Sequence, residues 1–370
     1  MKPFPLDTVR LLSGPFESAQ ARAASRLRMI DADGLLHGFR LNAGLKPKTP
    51  RQSPEADDLQ PGHTLGRYLS ACAAMWAATG EQAFWRRVDH VVEELRHCQQ
   101  SASSGLVCAF PDGDVPLRHA LYDGSLAGAP WCAMHDLMAG LRDAHVHARH
   151  PRALPVLARL ANWIADAADG REVDLRATPE HPHLANADAR ERELFGGALT
   201  LQDSIGSLQD HARLGDSIYF HDDQALYVNL FIASTLHWAL KRVRLRQTTT
   251  FPKEASTRLW VQLPRPTRFA LRLRHPAWCR KLTIRLNGRR LLESTEPGRH
   301  VEVERLWRQG DVVDAALPMH LYLQPAPGAS GLATWMRGPL VFGHQPPTMP
   351  AMPPARPTPE PEKKTTRAET

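Results

Sequence analysis

Residues 210–234, DHARLGDSIYFHDDQALYVNLFIAS, hold the change of period that decides the fold. From about residue 216 apolar side chains recur at every second position. Leu226, Val228, Leu230 and Ile232 alternate with Tyr227, Asn229 and Phe231, as expected of a strand with one buried face. Upstream of this stretch the spacing is helical, so it marks the passage from a helical region to a sheet region.

Working back from it, residues 1–168 read as helices. In segment 82–100, Phe84, Val88, Val91, Val92, Leu95 and Cys98 fall on one side, with Arg86, Arg87, Glu93 and Arg96 on the other. Segment 133–148 turns Met134, Leu137, Met138 and Leu141 inward. Segment 151–168 does the same with Leu154, Leu157, Leu160, Trp163, Ile164 and Ala167, and Pro151 suits a first turn that needs no amide hydrogen. Segment 64–79, TLGRYLSACAAMWAAT, is apolar nearly all round and should be buried on most faces. Antiparallel pairs of helices would bury these stripes.

Working forward, Leu259/Val261/Leu263, Phe269/Leu271/Leu273, Leu282/Ile284/Leu286, Val301/Val303 and Val313/Ala315/Leu317 each alternate. Asn287-Gly288 is a hairpin signal, because both residues tolerate positive φ. Many short alternating strands predict a β-sandwich. The expected organisation is α + β and multidomain: helices over 1–200, a sandwich over 210–343, and a disordered Pro-rich tail over 344–370. Segment 169–200 is polar and irregular where a helical region should continue.

Composition narrows the function classes. The chain has 370 residues and a net charge of +7. Much of the excess is Arg scattered among strand-like residues (Arg242, Arg244, Arg246, Arg258, Arg265, Arg268), without zinc-finger spacing or an aromatic-basic signature, so no nucleic-acid partner is expected. No apolar run is long enough to span a membrane. The start, MKPFPLDTVRLL, does not read as a secretory signal, and localisation stays open. Five dispersed cysteines (Cys72, Cys98, Cys108, Cys132, Cys279) describe neither a disulfide framework nor a structural zinc site, and packing is their expected role.

Several motifs, in order, carry a resemblance. They are FPLDTVRLLSGPFESAQ and LLHGFRLNAGL (35–45), GHTLGRYLSACAAMWAATG (62–80), GLVCAFPDG (105–113) and PWCAMHDLMAGLRDAH (130–145). NADARERELFGGAL (186–199), the opening stretch 210–234, and RFALRLRHPAW, WRQGDVV, ALPM and RGPLVF (268–342) follow. Together they resemble glycoside hydrolase family 127, the β-L-arabinofuranosidase-like family. The resemblance implies an α/α toroid, complete or partial (six-hairpin-like), followed by antiparallel β-sandwich modules. It implies hydrolysis of a terminal furanoside, usually a β-linked L-arabinofuranose of plant-type glycans. In that chemistry a thiolate attacks the anomeric carbon, zinc held by a Glu and three Cys orients the thiol, and a second Glu protonates the leaving oxygen.

The departures fall on that chemistry. Counting back from His211, the family's adjacent cysteines fall on Gln202 and Asp203, and no Cys lies between Cys132 and Cys279. Neither residue replaces a soft thiolate ligand. Between Gly170 and residue 186 there is no room for the helices that carry the family's Gly-Gly-x-x-x-x-Glu and Glu-x-Cys segments, so the acid/base and two more zinc ligands are missing. The second His of the Gly-His-x-x-Gly-His pattern is Arg67. The Tyr expected beside Trp131 is Cys132, and the Lys expected after His135 is Asp136.

The expectation is a shortened, catalytically silent or impaired member of the family, with no catalytic residue and no metal or other cofactor. The alternative is a non-catalytic carbohydrate-binding protein, for which Trp260, Trp278 and Trp307 are the aromatic faces to look for. His63, Trp131, His135 and His211 are the candidate sugar-binding residues. His145, His147 and His150 read as a solvated face, since 145 and 147 point apart on a helix. His181 and His183 beside Glu180 form a loop cluster. Asp188, Glu191, Glu193 and Asp203 are the carboxylates nearest the lost centre. Helices left without partners would expose apolar stripes, so self-association is also expected.

Overall fold

A computed structural model describes residues 1–51, 62–102, 104–110, 113–115, 117–119, 129–168, 201–325 and 333–341; for 129–130, 132 and 201–205 it describes the backbone alone. The polar segment 169–200, with Glu180, His181, His183, Asp188, Glu191 and Glu193, and the tail 344–370 lie outside the described residues, as do the side chains of Cys132, Gln202 and Asp203. The chain divides into two compact units, residues 1–318 and 319–370.

The first unit is mixed α and β. Its helices are α1 (Pro15–Met29), α2 (Ala32–Leu35), α3 (His37–Asn42), α4 (His63–Thr79), α5 (Gln82–Ser101), α6 (Ala129–Val146), α7 (Ala153–Ala167) and α8 (Leu201–Ala212). Its strands are β1 (Lys2–Pro3), β2 (Val9–Leu11), β3 (Tyr219–His221), β4 (Ala225–Val228), β5 (Ser234–Trp238), β6 (Val243–Thr248), β7 (Ser256–Gln262), β8 (Thr267–Arg274), β9 (Leu282–Leu286), β10 (Arg289–Ser294), β11 (His300–Trp307) and β12 (Val312–Ala316).

Helix α4 is the centre of the helical region. Fifteen of its seventeen residues are buried, among them Leu65, Tyr68, Leu69, Cys72 and Met75. It packs against α5, α6 and α8. A run of Ala at 71, 73, 74, 77 and 78 keeps the helix narrow, and the large side chains fill the gaps between neighbours. The closest approach is at Gly66 and Gly140. A Cβ on Gly66 would collide with the backbone of Asp136 and Leu137, and one on Gly140 would collide with the carbonyl of Gly66. Here α4 and α6 touch backbone to backbone.

The strands form two sheets, ordered β1-β3-β4-β8-β11 and β10-β9-β12-β7-β6-β5-β2. Phe269, Leu271 and Leu273 from one pack with Leu245, Leu259, Val261 and Ile284 from the other in a single core, so the sheets form a sandwich. The Asn287-Gly288 turn joins β9 to β10 with φ of 50° and 81°, as the pair predicts.

The structure corrects several expected boundaries. The first residues are not helical: β1 and β2 close one edge of each sheet by pairing with β3 and β5. Strands of two and three residues are too short to display a period. The sandwich is not wholly antiparallel, because β4 pairs with β8 in parallel; the chain passes through the other sheet between them. The strand expected over 226–232 ends at Val228. Pro151 precedes α7, and Pro155 occupies its first turn instead, where the amide has no helical acceptor. Leu154, expected inward, is exposed.

The sandwich also ends earlier than residue 343. Its last strand is β12. In the second unit, β13 (Leu321–Pro325), β14 (Ala333–Arg337) and β15 (Leu340–Val341) form a separate three-stranded antiparallel sheet. No described helix is long and apolar enough to cross a membrane.

Replacing Gly66 with Ala should force α4 and α6 apart and cost about 3 kcal/mol, the upper end for overpacking, because backbone rather than a side chain must yield. Chemical denaturation reads this as a lowered midpoint at unchanged slope. An unchanged midpoint would rule out the close crossing.

Candidate active site

The crossing of α4 and α6 brings two polar stripes together. On α4, His63, Arg67 and Ser70 follow one another at helical spacing, and all three are buried. On α6, Asp136 and Asp143 stand two turns apart and are also buried. His63 Nδ1 lies 2.5 Å from Asp136 Oδ2, and Arg67 Nε reaches the same oxygen at 3.0 Å. The histidine contact is an ion-pair approach rather than an aligned hydrogen bond. His135 Nδ1 stands 3.9 Å from the other carboxylate oxygen, with 46% of its side chain exposed.

The second node is Asp143. It accepts from Ser70 Oγ, from Arg142 at 2.7 Å and from Arg213 at 2.6 Å. Gln209 Nε2 on α8 donates to Ser70 Oγ at 2.8 Å. Early residues of α4 meet early residues of α6, and later ones meet later ones. The two helices therefore run parallel, and α8 reaches them at the second node.

This sorts the candidate residues. His63 and His135 converge on Asp136, where the first turn of α4 meets the middle of α6. Trp131, one turn before His135, is buried in the helical core. His211 sits in the last turn of α8, where its Nδ1 bonds its own helix at Ser207 O at 2.6 Å. It belongs near the second node, not with the other three. Arg67 and Asp136 read from the sequence only as departures from a family pattern, yet they are bonded to each other. Two changes 69 residues apart form one buried ion pair. Ser70, Asp143 and Gln209 gave no signal beyond the α4 spacing.

Electrostatics fix the protonation of the first node. Burial alone would raise the Asp136 carboxyl. The contacts of His135 and His63 and the charges of His63 and Arg67 outweigh it and hold the group well below the usual carboxylate range. Asp136 is thus ionised at neutral pH and cannot serve as a general acid. His63 Nε2, Arg67 Nη2 and Trp131 Nε1 are buried and have no hydrogen-bond partner among the described residues. Nitrogens of this kind suit the hydroxyls of a sugar, since an unmet buried polar group is costly.

Among the described residues, the cysteines do not fit a thiolate zinc centre. Burial pushes the Cys72 thiol up to about 12 and those of Cys98 and Cys108 to about 11, away from thiolate, and Cys279 is raised too. One group of metal-type ligands stands among the described residues: Asp89, Glu93 and His150. It is occupied by its own contacts. Glu93 pairs with Arg152 at 2.6 Å and Arg96 at 3.0 Å. His150 Nδ1 accepts the Arg152 amide at 3.4 Å, which places the ring proton on Nε2, 3.1 Å from Asp89. His150 is therefore not part of a solvated face but a buried linker. His145 is exposed, and His147 is half-buried, with its pKa lowered by burial.

The described architecture is a helical region with a buried polar crossing of two parallel helices, followed by a β-sandwich. The catalytic-domain profile of the GH127 β-L-arabinofuranosidases matches residues 8–195, and the GH127 middle-domain profile matches residues 225–319. The chain belongs to glycoside hydrolase family 127. Among solved structures it resembles a GH127 β-L-arabinofuranosidase from Geobacillus stearothermophilus T6, with TM-score 0.66 and 13% identity over 90% of this chain and 86% of that one. It also resembles the GH127 β-arabinofuranosidase BT3674, with TM-score 0.62 and 11% identity over 92% and 84%. At these identities the likeness is one of fold. No curated protein matches the chain.

Asp136 makes a pH-dependent contribution to stability. Its folded pKa is depressed, so its stabilisation is present above the unfolded carboxyl range, near pH 4, and is lost as pH falls through the folded value. Asp136→Asn should cost about 3–5 kcal/mol at pH 7, as when one partner of a buried pair is removed. The gap to the parent should narrow in acid, as read from urea midpoints at pH 7 and pH 3. A gap that stays constant or widens in acid would contradict the assignment.

Proposed function

We propose that this chain binds a terminal β-L-arabinofuranoside-type sugar of a plant-type glycan and that its hydrolytic activity is absent or severely impaired. The sugar lies where the first turn of α4 meets the middle of α6, on the side that His135 exposes. His63 Nε2, Arg67 Nη2 and Trp131 Nε1 meet its hydroxyls, and His135 borders it from the solvent side. His211 stays a candidate ligand only through the motif it belongs to.

One observation carries the loss of hydrolysis. Where the family places adjacent cysteines, this chain has Gln202 and Asp203, and no cysteine lies between Cys132 and Cys279. The described cysteines are buried with raised pKa values, so none is poised to attack an anomeric carbon. Among the described residues, the carboxylate at this crossing, Asp136, is ionised and committed to His63 and Arg67. A retaining mechanism needs both a nucleophile and a proton donor. The Arg67–Asp136 pair supports a binding role, because two positions that depart from the family pattern carry complementary charges and pair at 3.0 Å.

The test is incubation of the full chain, with and without added zinc, with 4-nitrophenyl β-L-arabinofuranoside. No release of nitrophenol above the uncatalysed rate is expected, while His63→Ala should weaken binding of the same glycoside about tenfold, roughly one buried hydrogen bond to a charged group. Turnover that a point substitution abolishes, or stoichiometric zinc in the purified protein, would overturn the reading.

We also propose that the chain self-associates. In the second unit Leu321, Leu323, Trp335 and Leu340 are exposed, and the strand register puts them on one face. Light scattering behind gel filtration should show a mass that rises with concentration; a monodisperse monomer at all concentrations would contradict this.

A further inference from the structure

The outer face of the seven-stranded sheet carries a patch that the furanoside mouth does not use. On β6, Arg244 and Arg246 point to solvent; on β7, Arg258 and Trp260 do; on β9, Arg285 does. The register makes these residues neighbours. Arg246 stands opposite Trp260, Asp314 stands between Arg258 and Arg285, and Arg244 is opposite Gln262. Trp260 is 38% exposed, a large aromatic surface left to water on an otherwise polar sheet face. Trp307 is fully buried and Trp278 half-buried, so of the three tryptophans considered from the sequence Trp260 alone presents such a face. The Arg258 guanidinium lies over the indole at 5.9 Å, and its Nε donates to Asp314 at 2.5 Å, which braces the arrangement.

Beside Trp260 the sheet surface opens into a depression of about 510 Å³, lined by Arg246, Thr248, Ser256, Arg258 and Asp314 among others. Two carboxylates border it, Asp314 and Glu254. Among the described residues Arg244, Arg246 and Arg285 have no carboxylate partner, so the patch is net cationic. Exposed guanidinium groups beside a flat aromatic ring match a ligand that offers carboxylates and sugar faces together.

We propose that this face is a non-catalytic platform for an acidic polysaccharide, a chain of uronate residues. Trp260 stacks on a sugar ring, Arg246 and its unpaired neighbours Arg244 and Arg285 bind carboxylates, and Asp314 with Thr248 and Ser256 meets hydroxyls. A nucleic acid would share the charge complementarity. It fits less well, because successive bases call for a series of stacking aromatics, and this face has a single one. The platform is separate from the α4–α6 mouth and stands whether or not that mouth binds a furanoside.

Native gels cast with polygalacturonate, with neutral arabinan or with single-stranded DNA test this on the full chain. Polygalacturonate should retard the protein, and added salt should weaken the retardation. Trp260→Ala should weaken it about tenfold, as expected of an aromatic anchor, while Trp260→Phe keeps most of it. Arg246→Ser, also at an exposed position, should weaken it without altering thermal unfolding. His63→Ala should leave it unchanged, which separates this site from the furanoside mouth. Absence of retardation, equal binding by Trp260→Ala and the parent, or retardation by DNA with the same dependence on Trp260 would each overturn the platform.

Discussion

The backbone contact between Gly66 on α4 and Gly140 on α6 is the constraint on which the rest of the helical unit rests. Two helices that meet at glycine lie closer than side chains normally allow. At that distance the residues one turn to either side cannot avoid each other. His63 and Arg67 are held against Asp136, and Ser70 against Asp143. Each buried carboxylate is then surrounded by donors, which makes its burial tolerable. The same crossing fixes the parallel direction of the two helices and sets the first turn of α4 against the middle of α6. A wider spacing at this point would part His63 and Arg67 from Asp136 and Ser70 from Asp143.

The node at Asp136 combines an ionised carboxylate, held by two basic side chains, with buried nitrogens that have no hydrogen-bond partner among the described residues. The described thiols of the helical region are pushed up by burial. Arg67 meets Asp136 through Nε, while its Nη2 is buried without a hydrogen-bond partner among the described residues.

Much of the fold is legible in the sequence because burial writes periods that can be counted. Helix α4 shows its burial as a continuous apolar run, while helices α5 and α6 and strands β7, β8 and β9 show one face in the spacing of Leu, Val, Phe, Ile and Met. Asn287-Gly288 announces its turn through backbone chemistry alone. What escapes notice is whatever has no period. Strands β1 and β2 are too short, and the parallel pairing of β4 with β8 is a matter of topology, not of local pattern. Leu154 looks inward by spacing but lies in the first turn of α7, where exposure follows from how the chain enters the helix. In the site, His63 and His135 are visible through their motifs. The meeting of Arg67 with Asp136 is not, because proximity across 69 residues depends on the glycine crossing. His150 is misjudged for a related reason: its burial is set by Asp89 and Trp85 on a neighbouring helix.

The most direct measurement is proton and nitrogen NMR of the intact chain during titration with methyl β-L-arabinofuranoside, following the imidazole signals and the anomeric proton together. Binding without chemistry predicts saturable shifts of the His63 ring while the glycoside signal stays constant for days. Appearance of free arabinose on the timescale of the titration, or an unmoved His63 at saturating sugar, would contradict the account.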